Sequence, residues 1–380
     1  MSIRTTSMSV WNILIDFNKS HGSYVFDKNT NREYLDFFGM YSSLPLGYNH
    51  PIFDDSFHER MKSISTVKVA NCEFNTDVYD EFCESFYSFA GLGKYNNLHF
   101  TCTGSLAVEC AIKIAMDNTS SEKRRVVAIN NSFHGIHAYG NFTTSHFYPV
   151  DERLEGFPDL NWPKINTIKE LMYELDKGDV AAILVEPIQA TFGDYHHSKS
   201  FLHAIAQCAR KYGVLLIFDE VQTGFGTTGT PWYFQQLGIE PDIVIFGKKS
   251  QVSGVMATDK CGFDSKRLCV TFDGDIVDML RSIYIMKEYE NGIMENVVEQ
   301  GKFLRDKLQT IPQLNNTRGV GLMTAFDMDD EEARDAFVEK VRENGMILNP
   351  TGENSIRLRP NLAVDRIDIE KCIEIIKKCV

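Results

Sequence analysis

A chain of 380 residues exceeds the roughly 250 to 300 at which a single core stops growing, and so predicts two structural lobes. Hydrophobic residues at 43% and charged residues at 24% describe an ordinary globular protein, and a formal charge of -13 excludes nucleic acid and anionic membrane as standing partners. A small-molecule task is expected. The nine cysteines are scattered, with no CxxC and no regular framework, which reads as reduced thiols in the cytoplasm. No segment approaches ~18 uninterrupted apolar residues. The N-terminal stretch MSIRTTSMSVWNILIDF has neither a long apolar core nor a small-residue cleavage site, so nothing is read as exported or membrane-spanning.

In chain order, LAVECAIKIAMDN (Leu106 to Asn118) has helical periodicity. The run VVAI (Val126 to Ile129) and then AAILVEP (Ala181 to Pro187) read as buried strands, short and rich in β-branched residues. His196-His197 have no partner at metal-ligand spacing and read as a solvated loop; no metal site is expected. SFLHAIAQCARKYG (Ser200 to Gly213) is a helix with a glycine stop. VLLIFDE (Val214 to Glu220) and IVIFGK (Ile243 to Lys248) are two more buried strands. From Asp275 the pattern changes to long charged helices, then a short strand GLMTAF (Gly321 to Phe326) and a closing helix IDIEKCIEIIKKC. Strand alternating with helix predicts an α/β fold: a mostly parallel sheet with helices on both faces, followed by a smaller α+β lobe.

Ligands of open α/β sheets bind beyond the carboxyl ends of the strands. Glu186, Asp219 and Lys248 each fall at such an end, on three different predicted strands. Folding would therefore gather two carboxylates and an amine along one edge of the sheet.

Taken together, EPIQ (Glu186 to Gln189), FDEVQTGFG (Phe218 to Gly226) and FGKKSQVSGVMA (Phe246 to Ala257) resemble the class III, fold-type I, pyridoxal-phosphate-dependent aminotransferases. The likeness runs from Tyr24 to Val364. Within the class, FGKK, TGTPWYFQQLGIEPDIV (Thr228 to Val244) and SLAVECAIK (Ser105 to Lys113) are most similar to the lysine 6-aminotransferase branch. The resemblance implies an N-terminal segment (1–50) joined to the small lobe, a large PLP-binding domain (51–264) and a small C-terminal domain (265–380). It also implies a homodimer with a shared active site, acting on an amine donor and an oxo-acid acceptor.

The resemblance assigns residues as well. Asp219 is the carboxylate that keeps the pyridine nitrogen protonated, and Lys248 is the amine that carries the cofactor aldehyde and then moves the proton. Lys249 is its neighbour. Gly104 and Ser105, with Thr103 before a helix expected near Leu106, would supply amide and hydroxyl donors to the phosphate. Phe133 would stack on the ring, Val221 would pack on its other face, and Gln222 would reach the ring hydroxyl. Thr271 would cross the dimer interface to the other subunit's phosphate. Arg357 matches the arginine that pairs with the α-carboxylate of glutamate or 2-oxoglutarate, with Arg359 as the structural alternative.

Three departures bear on substrate. In ω-aminotransferases of this class a glutamate follows EPIQG and covers the arginine, whereas EPIQATFGD has Ala190 and Thr191 there. Lysine 6-aminotransferases carry an arginine after FHG for the lysine carboxylate, whereas SFHGI has Ile136. A carboxylate facing an isoleucine loses several kcal/mol in desolvation, which argues against L-lysine as donor and for an apolar contact by Ile136 and Phe192. Asp273 and Asp275 lie near the expected phosphate contact of Thr271. The alternatives are a racemase, aminomutase or lyase on the same scaffold, and a non-catalytic relative; keeping Lys248, Asp219, Gln222 and Phe133 together argues against the last.

Overall fold

The protein is represented by a computed structural model that describes residues 11–145 and 160–380. The first ten residues of the expected N-terminal segment, and 146–159 of the expected large domain, lie outside the described residues. Its centre is a seven-stranded sheet in the order Asn97–Thr101, Ser253–Ala257, Ile243–Phe246, Leu215–Asp219, Val180–Val185, Arg125–Ile129, Lys164–Ile165. From Ile243–Phe246 to Lys164–Ile165 every neighbouring pair is parallel. Ser253–Ala257 runs antiparallel to both of its neighbours. Every residue of VAAILV is buried, as expected of a strand covered by helices on both faces.

Helix Gly104–Asp117 starts two residues before the expected Leu106, because the Thr103 side chain accepts from the Leu106 amide at 3.3 Å and caps it. Gly104 and Ser105 thereby become its first turn. Helix Lys199–Tyr212 ends at Gly213 with φ +60°, a left-handed stop that glycine adopts without strain.

A four-stranded antiparallel sheet, in the order Asn315–Val320, Met323–Asp327, Ser355–Leu358, Asn349–Thr351, is separate from the seven-stranded one. The N-terminal hairpin Tyr24–Asp27 and Arg32–Asp36 pairs in parallel with Met346–Ile347, so the two ends of the chain meet in one sheet. Helix Ile276–Glu288, early in the expected small lobe, packs against helices Asp77–Ala90 and Asp55–Ile64, with a Tyr284 to Ser56 hydroxyl contact of 2.7 Å.

The expected solvated loop at His196-His197 is corrected here. His196 belongs to a short strand, Tyr195–His196, paired with Ile188–Gln189, and the Nε2 atoms of both histidines are enclosed. Both residues are half-buried, His197 just beyond the strand, and burial pushes both imidazoles down to about 4, so they are neutral at physiological pH.

Candidate active site

Parallel pairing brings the carboxyl ends of four strands to one edge. Register sets Ile245 beside Asp219 and Val185 beside Phe218, which aligns the ends that carry Lys248, Asp219 and Glu186. Strand Asn97–Thr101 delivers Thr103 and the N-terminus of helix Gly104–Asp117 to the same place. Between them lies a cavity of about 460 Å³. It is lined by Gly104, Ser105, Phe133, His134, Glu186, Asp219, Val221, Gln222 and Lys248, with Tyr41, Thr191 and Arg357 at one end.

Asp219 is buried. One carboxylate oxygen accepts from the Val221 amide at 3.2 Å, and Oδ2 lies 2.8 Å from His134 Nδ1. The backbone of His134 is anchored nearby, since its amide donates to Thr144 Oγ1 at 2.8 Å. Lys248 follows Gly247 and has φ +55°, a conformation that is strained for a side chain of this size. Burial, then the nearby charge of Arg357, lowers the Lys248 amine from its ordinary value. A larger neutral fraction makes it a better nucleophile and base. Glu186 accepts backbone N–H groups of Phe133 at 3.0 Å and Ala190 at 3.1 Å. Burial, then the charge of Asp219, pushes its carboxyl up to about 8.

The two arginines divide cleanly. Arg359 Nη2 meets the fully buried Asp194 at 2.5 Å, an internal pair that leaves it no role for an incoming anion. Arg357 Nη1 donates to the Ala190 carbonyl at 3.0 Å. With the Asn349 amide oxygen turned toward it, Nη2 and Nε donate at 2.7 and 2.9 Å. Among the described residues no carboxylate pairs with Arg357, and burial, then Arg359, lowers it to about 10. It therefore stays charged at neutral pH, desolvated and facing the cavity.

Lys249 points the other way. Its ammonium donates to the carbonyls of Ser42 at 3.0 Å and Leu44 at 3.4 Å, and burial lowers it to about 7. Those carbonyls lie at the end of, and just after, a run of left-handed residues: Gly39, Met40, Tyr41 and Ser42 have φ of +57°, +51°, +55° and +73°. Each non-glycine residue in this region costs roughly 1–2 kcal/mol, so the turn needs external support. Asp36 supplies it from the other side by accepting the amides of Phe38 at 2.9 Å and Gly39 at 2.8 Å. The result holds Tyr41 at the arginine end of the cavity.

Two of the sequence-derived site residues lie elsewhere in this chain. Ile136 is 73% exposed and does not line the cavity, so it is not the buried apolar wall expected of it. Thr271 is exposed and also outside the lining. Asp273 and Asp275 serve the local backbone: Asp273 accepts from the Val270 amide at 2.8 Å, and Asp275 caps helix Ile276–Glu288 through the Val277 amide at 2.9 Å. His134 and Tyr41 were missed. His134 had one available signal, its place beside Phe133 in SFHG.

The cavity fits a phosphorylated pyridine aldehyde. A buried carboxylate, an amine with lowered proton affinity, and a helix N-terminus preceded by a threonine cap face one space. Gln222 lines it with a buried Oε1 that has no partner among the described residues. Gly135, at φ +91°, leaves room for the Ser105 hydroxyl, which a Cβ there would strike. These features define a fold-type I, pyridoxal-phosphate-dependent transferase.

The Aminotransferase class-III family profile matches residues 5–380, and the chain belongs to that family, whose members are PLP-dependent aminotransferases. L-lysine-epsilon aminotransferase of Amycolatopsis lactamdurans is 31% identical over 412 residues, covering 96% of this chain and 91% of that protein. Acetylornithine aminotransferase of Bacillus cereus is 31% identical over 381 residues, covering 96% and 95%. Among solved structures, lysine aminotransferase from M. tuberculosis in the internal aldimine form superposes with a TM-score of 0.94 at 31% identity, covering 100% of this chain and 96% of that one.

Proposed function

We propose that this aminotransferase moves an amino group between a primary, side-chain amine and an oxo-acid such as 2-oxoglutarate, and that it works as a homodimer. The observation that carries the reading is Arg357: a buried cation without a carboxylate partner among the described residues, lining the same cavity as Lys248 and Asp219. Such a group accepts a carboxylate with planar, bidentate geometry.

When bound, the cofactor supplies an electron sink for the carbon that bears the amine. In this reading Asp219, oriented by His134, holds a proton at the pyridine nitrogen. Lys248 holds the aldehyde and later takes and returns a proton at Nζ. The first-turn amides of Gly104 and Ser105, with the Ser105 hydroxyl, hold the phosphate. Phe133 and Val221 would flank the ring, and Gln222 would accept from its hydroxyl through the unpartnered Oε1. Arg357 orients the carboxylate of the oxo-acid.

Thr271 of each protomer would complete the phosphate site of its partner. The exposed Leu106, Phe133, Ile136, Val270 and Phe272 support a covering subunit on this face, since apolar groups near a cavity mark interfaces. With Ile136 and Thr191 in place of an arginine and a glutamate, the site favours a donor other than L-lysine. The pairing of residues 32–36 with 346–347 supports a small lobe built from 1–50 and 265–380 beside a cofactor domain at 51–264. Unpaired cysteines support a cytoplasmic setting.

The test is Lys248→Ala beside Lys249→Ala. The first is expected to lose the yellow colour of the cofactor-loaded protein together with turnover, and the second to keep the colour. The opposite pattern refutes the assignment.

A further inference from the structure

Tyr41, Thr191 and Arg357 line the cofactor cavity and also line a second cavity of about 780 Å³. We infer that this second cavity is a substrate subsite: the substrate carries an uncharged apolar or aromatic tail that passes between Tyr41 and Thr191 and lies there, while its reacting amine and its carboxylate stay in the first.

The passage is lined with aromatic rings. Tyr41 meets Phe38 edge-on at 4.5 Å, and Phe38 meets Trp11 edge-on at 5.8 Å, and all three line the second cavity. The left-handed turn that places Tyr41 is strained and is held from both sides by Lys249 and Asp36. Such strain persists where a fixed position has a use. Thr191, the other residue shared by the two cavities beside Arg357, is short, at the position where the resemblance implies a glutamate over that arginine. The tail chemistry follows from charge. The other cations of the second cavity are already satisfied: Arg334 by Glu331 and Asp335, and Arg342 by Glu339. No further anion is called for, and Trp11, Phe38 and Val338 offer apolar contact.

This inference rests on the proposed role of Arg357, and the test separates the two. Nα-acetyl-L-lysine and Nα-octanoyl-L-lysine share an amine and a carboxylate and differ in the tail alone. Binding to the cofactor-loaded protein is measured by calorimetry, and bleaching of its yellow colour by absorbance. The octanoyl derivative is expected to bind about tenfold or more tightly than the acetyl one. Val338→Trp, which fills the second cavity away from the cofactor, is expected to abolish that gain and to leave the acetyl derivative unchanged. Equal binding of the two derivatives, no measurable binding of either, or a gain that survives in Val338→Trp, overturns the subsite. If the gain and its loss in the variant are seen but neither derivative bleaches the colour, the subsite stands and the side-chain-amine reading fails.

Discussion

Replacing Arg357 with methionine removes the charge and keeps most of the side-chain volume. The guanidinium is buried, hydrogen-bonded to the Ala190 carbonyl at 3.0 Å and to Asn349, and has no carboxylate partner among the described residues. An incoming carboxylate would form a desolvated charge pair, and truncating one side of such a pair costs about 2–5 kcal/mol. At about 1.4 kcal/mol per decade that is roughly 30-fold to several thousand-fold in kcat/KM for 2-oxoglutarate. Burial and Arg359 lower Arg357 only to about 10, so the effect is expected across pH 6 to 9 without a change of sign. The assay is the single-turnover reaction of the amine-loaded enzyme with 2-oxoglutarate, followed by the return of yellow colour. An Arg359→Met control is expected to destabilise the fold instead, because it strands the buried Asp194. Unchanged kcat and KM for the oxo-acid in Arg357→Met would remove this arginine from the site.

Glu186→Gln tests linkage. Burial and Asp219 raise the Glu186 carboxyl from 4.5 to about 8, so the folded state binds the extra proton and stability falls as pH rises between those values. The unfolding midpoint of the variant relative to wild type is expected to climb from pH 5 to pH 8, and a flat difference would contradict the raised value. Gly135→Ala places a Cβ against the Ser105 hydroxyl at a left-handed position. The expected result is a folded protein with affinity for pyridoxal phosphate weakened about 10- to 150-fold, the worth of one charge-assisted hydrogen bond; unchanged affinity would take Ser105 out of the phosphate site. Lys249→Met leaves the Ser42 and Leu44 carbonyls without their donor and is expected to cost about 1–3 kcal/mol. Denaturant unfolding measures the loss, and an unchanged midpoint would mean that the turn supports itself.

The parallel strands were legible because a strand buried on both faces must be apolar throughout, and acids or lysines placed directly after such runs stand out. The antiparallel Ser253–Ala257 strand was not read as one. SGVMA is short and glycine-bearing, and its glycine lies where a Cβ would press on the His99 carbonyl and the Phe246 ring, a constraint set by tertiary neighbours. The turn at Gly39–Ser42 was hidden for a similar reason. Three of its residues are not glycine, so local preference opposes the conformation, and only Asp36 and Lys249, remote in sequence from each other, explain it. Choosing Arg357 over Arg359 by resemblance gains a physical reason in Asp194, a residue at φ +52° in a loop with no periodic pattern.

The two substitutions that set this chain apart act together on charge. Among the residues that line the cofactor cavity, Arg357 is the single arginine, Ile136 supplies no second one, and Thr191 supplies no glutamate to neutralise it between half-reactions. If Arg357 has the proposed role, a donor with a carboxylate and the oxo-acid would use the same guanidinium in turn, which suits a cycle in which one substrate leaves before the other enters. The cost is that a cation without a covering carboxylate would also attract the wrong partner. High 2-oxoglutarate should therefore compete with a carboxylate-bearing donor for the yellow enzyme, and should compete much less with a donor that has no carboxylate. Equal competition against both would mean that the two substrates do not share Arg357.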